Sequence, residues 1–132
     1  MNNKEIKNAI SYWGKTAKHD YETMLVLFKT KRYSDCLFFG HIALEKILKA
    51  LVVKKIGEQA PYTHDLVRLE KIAEIGLGKE MIELLNQVND FNIRARYPEH
   101  KLAFYKKCNY QYAKKYYEKI KKMYKDLCCK LK

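Results

Sequence analysis

The sequence has 132 residues, is 48% hydrophobic, and carries 5 Gly, 2 Pro and a formal charge of +12. That length suits one domain, residues 1–132, and the apolar fraction is enough to bury a core. The scarcity of turn residues suits long helices more than many short strands, and the charge favours anionic partners: RNA, nucleotides, an acidic protein or, less readily, a membrane surface.

The positive charge is concentrated. From Lys101 onward there are 11 Lys and two acids, so +9 of the +12 falls in the last 32 residues. The four cysteines, Cys36, Cys108, Cys128 and Cys129, include no C-x-x-C pair. They read as reduced thiols and not as a zinc framework, and no metal or other cofactor is expected. The opening "MNNKEIKNAI" lacks the apolar run of a signal peptide, and no stretch approaches the roughly 20 apolar residues that span a bilayer. The expectation is a cytoplasmic protein that makes no membrane contact.

Ile6, Ile10, Trp13, Ala17, Met24, Leu27 and Phe28 follow helical spacing and predict a first helix from about Asn3 to Thr30. After "KTKRYSD", with Ser34 as its cap, a second helix is predicted to Ile56, where Gly57 ends it. Pro61 makes "EQAPYTH" a loop, and a short third helix follows over Leu66–Ile75. "GLGK" is a break, and a fourth helix is predicted over Lys79–Asn89. The last helix, about Asn109–Lys130, places Tyr112, Tyr116, Ile120, Met123, Tyr124 and Leu127 on one face. No segment alternates with a two-residue period, so the prediction is an all-α, antiparallel up-and-down bundle of four to five helices.

Three motifs carry candidate chemistry. In "HIALEKILKA", His41, Glu45 and Lys49 recur every four residues on one face. The plain reading is a solvated face with ordinary ion pairs; the functional one is a subunit or ligand contact. His64 in "PYTHDL" reads as a structural cap, and His19 as solvent-facing. The last helix interleaves tyrosines with lysines, "YQYAKKYYEKIKKMYK". Such a pattern suits single-stranded nucleic acid, although buried tyrosines beside a solvated basic face would produce it too.

The third motif is "FNIRARYPEH", residues 91–100. Pro98 pushes Tyr97 toward an extended conformation, which places the arginines and His100 on or beside a loop. Arg96 offers a two-pronged donor to phosphate or carboxylate, and His100 exchanges protons near neutral pH. These are the parts of a metal-independent RNA cleavage, with a second His100 from a dimer partner to complete the acid and base roles. The alternative is a structural knot in which Arg96 pairs with an acid and Tyr97 packs beneath.

Taken together, the residues resemble the HEPN domain (higher eukaryotes and prokaryotes nucleotide-binding). The resemblance rests on Trp13, Ala17, Asp20, Tyr33, the run from His41 to Ala50, "THDLVRL" at Thr63–Leu69 and "ARYPE" at Ala95–Glu99. It implies a helical bundle, commonly a homodimer, often paired with a minimal nucleotidyltransferase as a toxin–antitoxin system. In many such pairs the HEPN protein is the toxin, a metal-independent endoribonuclease. The family signature is Arg, four to six residues, then His. Arg94 and His100 meet that spacing, while Arg96, the arginine of the "ARYP" form, stands only three residues before His100. The alternative implied role is a non-catalytic module that holds nucleotide or substrate for the nucleotidyltransferase. Some toxins are silenced by adenylylation of a Tyr two residues after the His; Leu102 occupies that position here.

Overall fold

The computed structural model describes residues 1–132 as six helices: α1 (Asn3–Lys29), α2 (Tyr33–Ile56), α3 (Leu66–Ile72), α4 (Lys79–Arg96), α5 (Pro98–Lys107) and α6 (Tyr110–Leu131). There are no strands, and the architecture is the expected helical bundle with one helix more than the four to five anticipated.

The reason for the bundle is α2. Buried positions run round its whole circumference, from Cys36 and Leu37 through Leu44 and Leu48 to Val53. A helix apolar on all sides must be covered on all sides, and α2 packs against every other helix. Each fully buried leucine or isoleucine contributes about 1.5–3 kcal/mol. The resulting core is continuous, and includes Met24, Leu66, Leu85, Phe91, Phe104 and Ile120 from the surrounding helices.

Helix α1 folds back on α2 through a tight turn. Arg32 N–H donates to Leu27 O (2.8 Å) and Lys31 N–H to Phe28 O (3.1 Å), with Lys31 at φ 63°. This is the double-bond helix stop that usually places glycine at the left-handed position. The turn gives α2 its start at Tyr33, with Arg32 as N-cap and no side-chain cap bond, so Ser34 is not the expected cap. Gly57, at φ 67°, does end α2 as expected. Helix α3 stops earlier than Ile75, because Glu74 adopts φ 50° and closes the same kind of turn. Helices α1 and α6 meet beside α2 through two stacked pairs, Tyr21 on Tyr124 and Phe28 on Tyr117, each with ring centroids 4.0 Å apart.

The largest departure from expectation lies at residues 90–107. Helix α4 runs past Asn89 to Arg96, because Leu84, Leu85, Val88, Phe91 and Asn92 keep one buried face. Pro98 restricts only its neighbour, and Tyr97 is extended at φ −94°, ψ 125°. Pro98 itself then opens α5, a position where its missing N–H breaks no helical bond. The stretch expected to be a loop is thus two helices meeting at a one-residue elbow.

At Gly40, side chains of α1 and α6 come close to the backbone of α2. A β-carbon there would lie 2.9 Å from Ile120 Cδ1 and 3.2 Å from Met24 Sδ. Overpacking of this kind costs about 1–3 kcal/mol. Gly40→Val is expected to lower stability by that amount, measured as the shift in urea unfolding midpoint at unchanged m.

Candidate functional site

The elbow forms one wall of a cleft whose other wall is the start of α2. The broader part, about 670 Å³, is lined by Ser34, Asp35, Arg96, Pro98, Lys101, Leu102 and Tyr105. A narrower recess of about 240 Å³ adjoins it, sharing Ser34, Asp35 and Lys101 and reaching Phe38, Ala95 and Phe104.

Arg96 is the best-oriented cation of this cleft. Its Nε donates to Asn92 Oδ1 at 2.7 Å, one turn earlier on α4. Its guanidinium carbon lies 5.4 Å from the centre of the Phe38 ring. Asn92 is buried, so the anchor is fixed while the arginine itself remains exposed. Arg96 therefore pairs with an amide and an aromatic face, not with an acid as the structural-knot reading required, and Tyr97 is 52% exposed instead of packed beneath. Lys101 adds a second positive charge, and Asp35 is the one acid in the lining. The uncapped first turn of α2 contributes backbone N–H groups to the same side, which favours an anion there.

Arg94 points elsewhere. Two residues from Arg96 on a helix, it bonds Asp90 through Nε at 2.6 Å and acts on Cys108 and Tyr112 toward α6. His100 sits in the first turn of α5, exposed, its backbone N–H donating to Tyr97 O at 3.0 Å. Within one chain the structure brings Arg96 and His100 to the same elbow and sends Arg94 to another face.

The expected solvated ladder on α2 is the opposite of solvated. His41, Glu45 and Lys49 are 0%, 8% and 5% exposed. Glu45 is the hub: Oε2 accepts from Lys49 Nζ at 2.9 Å, and Oε1 accepts from His64 Nδ1 at 2.9 Å. Lys49 also lies 5.1 Å from the centre of the Trp13 ring. His64 is thus a bridge to α2, and the cap of α3 is Asp65, which accepts from Val67 and Arg68 N–H. His41 Nε2 is 2.9 Å from His64 O, an atom that only accepts, so Nε2 carries the proton. Its Nδ1 is buried without a hydrogen-bond partner. His19, by contrast, has an 80% exposed side chain, as expected.

Burial pushes the His41 imidazole down to about 4, against the opposing pull of Glu45 and the bond to His64 O, with the charges of His64 and Arg96 lowering it further. Burial also pushes the Cys36 and Cys108 thiols up to about 12. Thiols held protonated by burial are inert, and neither cysteine lines the cleft. No cluster of three or more His, Cys, Asp or Glu is placed to hold a metal ion, and no helix is long and apolar enough to cross a membrane.

Sequence reasoning missed Lys101, Asn92 and the start of α2 as parts of the site. The Asn92–Arg96 pair was readable as an i, i+4 contact once the helix was carried through Phe91. The approach of Ser34 and Asp35 had no local signal, since only tertiary packing creates it.

A small, basic helical bundle with an arginine- and lysine-lined cleft at a helix elbow is a helical module whose cleft has the charge to attract anions. Its family is settled by direct comparison: the model of the HEPN domain matches residues 10–127, and the chain belongs to that family. No curated protein and no solved structure matches it.

The lone Nδ1 of His41 gives a pH prediction. The unfolded chain takes its proton near the ordinary value of about 6.5, whereas folded His41 resists until about 4. Stability is therefore intact above that ordinary value and falls as pH drops through the interval. Between pH 7 and 5 the loss from this group is about 2 kcal/mol. His41→Gln, which keeps a donor for His64 O, is expected to reduce the pH 7 to 5 loss in urea unfolding by that amount.

Proposed function

We propose that this HEPN chain acts on RNA at the α4–α5 elbow, as the toxin-like half of a pair whose other half is a minimal nucleotidyltransferase. The carrying observation is the placement of Arg96 and His100 on either side of Pro98, the first oriented by Asn92 and Phe38 in the cleft and the second open to solvent. Arg96 with Lys101 holds the phosphate. The His100 imidazole takes the proton of the ribose 2′-hydroxyl, and the 2′-oxygen bonds to phosphorus as the P–O5′ bond breaks. A second histidine protonates the departing 5′-oxygen. Such proton transfers contribute about 10²–10⁴-fold each.

One chain supplies one such histidine, so the reading includes a homodimer in which a second copy provides the other His100. Exposed apolar side chains surround the elbow in support of that contact: Ile93, Tyr97, Leu102 and Tyr105 are 49%, 52%, 63% and 64% exposed. Hydrophobic side chains exposed this close together mark interaction surfaces more often than inert ones.

A second reading is a non-catalytic module that binds nucleotide or positions substrate for the nucleotidyltransferase. It is favoured by one observation: among the hydrogen bonds of the chain, His100 has none that orients its ring. This role would use Arg96 and Lys101 but not His100.

Growth on expressing the chain alone separates the two. The nuclease reading predicts arrest that disappears in both Arg96→Ala and His100→Ala at matched soluble expression. Absence of arrest by the wild-type chain, with nucleotide binding that survives His100→Ala, would establish the second reading in its place.

A further inference from the structure

The lysine-rich last helix is not part of the elbow, and lysines lie over tyrosine rings on both its flanks. On one, Lys114 is 5.6 Å from the Tyr110 ring centre and Lys121 4.9 Å from that of the buried Tyr117, while only the other offers two neighbouring half-buried rings. That second flank faces α4. There Tyr112 and Tyr116 stand one turn apart, with ring centroids at 5.1 Å, and both rest on Phe91 of α4, at 6.2 and 5.1 Å. Both tyrosines are only partly buried. Cations ring them: Lys107 Nζ lies 5.2 Å from the Tyr112 ring centre, and Lys115 and Lys119 lie 5.4 and 5.9 Å from that of Tyr116. Arg94, three residues after Phe91, belongs to the same face and carries the single local acid, Asp90, as its partner. Four cations against one acid thus frame a pair of rings backed by a rigid, fully buried phenylalanine.

We infer that this Tyr112–Tyr116 face, with Lys107, Lys115, Lys119 and Arg94, is a second binding surface that holds single-stranded RNA. Phosphates attract the ammonium groups, which are displaceable from the ring faces, and bases take their place on the tyrosines. The backing by Phe91 keeps the rings fixed, so little ordering is needed on binding. Arg94 accordingly belongs to substrate holding, on a different side of α4 from the Arg96 cleft. Charge complementarity selects a polyanion, and the half-exposed rings select one with unpaired bases over duplex. The inference rests on the RNA reading of the elbow for its choice of ligand, yet it requires no catalysis by His100.

The test is fluorescence anisotropy of a labelled uridine oligonucleotide across a salt series, using the full chain. In the triple variant Lys107→Glu, Lys115→Glu, Lys119→Glu, affinity is expected to fall at least about tenfold, and the slope of log K against log salt to weaken by about 2. The control changes net charge equally on the other flank of α6: Lys114→Glu, Lys121→Glu, Lys125→Glu, expected to stay within about twofold of wild type at matched salt. Tyr112→Leu with Tyr116→Leu, which keeps apolar bulk against Phe91, is expected to weaken binding at high salt as well as low. Equal losses in the two triple variants, or no binding by the wild-type chain, would overturn the inference. Binding that follows this pattern without RNA cleavage would sink the elbow reading and leave this surface standing. Cleavage that needs His100 while the two triple variants bind alike would do the reverse.

Discussion

A carboxylate buried in the middle of α2 sets a demand that two side chains meet, one on the same helix and one beyond it. Glu45 has lost most of its water, and an isolated buried carboxylate costs several kcal/mol. Lys49 answers it from the next turn of α2, and His64 answers it from the connection before α3. The His64 carbonyl in turn takes the proton of His41, and Lys49 lies over the Trp13 ring of α1. The cluster therefore fixes the central helix against α1 and against the α2–α3 connection at once. Removal of Glu45 would leave the Lys49 ammonium buried and unpaired, whereas loss of Lys49 or of His64 alone leaves the carboxylate one partner.

The cleft inherits its rigidity from that central helix. Phe38 lies one turn before His41 on α2 and forms the surface over which Arg96 is held. Asn92, buried on α4, fixes the other end of the same side chain. Pro98 then turns the chain with a single extended residue, so α5 leaves at an angle that opens the cleft and carries Lys101, Leu102 and Tyr105 to its edge. Two cations and the uncapped start of α2 line the cleft, which is the electrostatic basis for the proposed phosphate site.

Much of the fold was legible because helix signals are local. The α1 helix, the Gly57 stop and the break at "GLGK" stand where residue spacing placed them, and so does the C-terminal half of the α6 stripe, Ile120, Met123, Tyr124 and Leu127. At its N-terminal end the core takes Ala113 and Tyr117 and leaves the expected Tyr112 and Tyr116 half-buried. The misreadings share a cause. His41, Glu45 and Lys49 look like a surface ladder at four-residue spacing, since one helix cannot reveal that His64 and Trp13 will cover it. "RARYPEH" looks like a loop because proline ends helices, but the same residue starts them, and the choice depended on Phe91, Asn92 and Phe104 having a core to enter. The candidate site was half-readable for a related reason: Arg96 and His100 carry a chemical signature, while Ser34, Asp35 and Phe38 join only through packing.

The central claim is that chemistry on RNA occurs at the elbow without a metal. The direct measurement is cleavage of a defined RNA by the purified chain in excess EDTA, with analysis of the new ends and a parallel substrate carrying 2′-deoxyribose at the cut site. The account predicts cleavage in EDTA, a 2′,3′-cyclic phosphate on one fragment, a 5′-hydroxyl on the other, and an uncut deoxy substrate. Cleavage of the deoxy substrate at an equal rate, or activity that vanishes with EDTA and returns with magnesium, would contradict it.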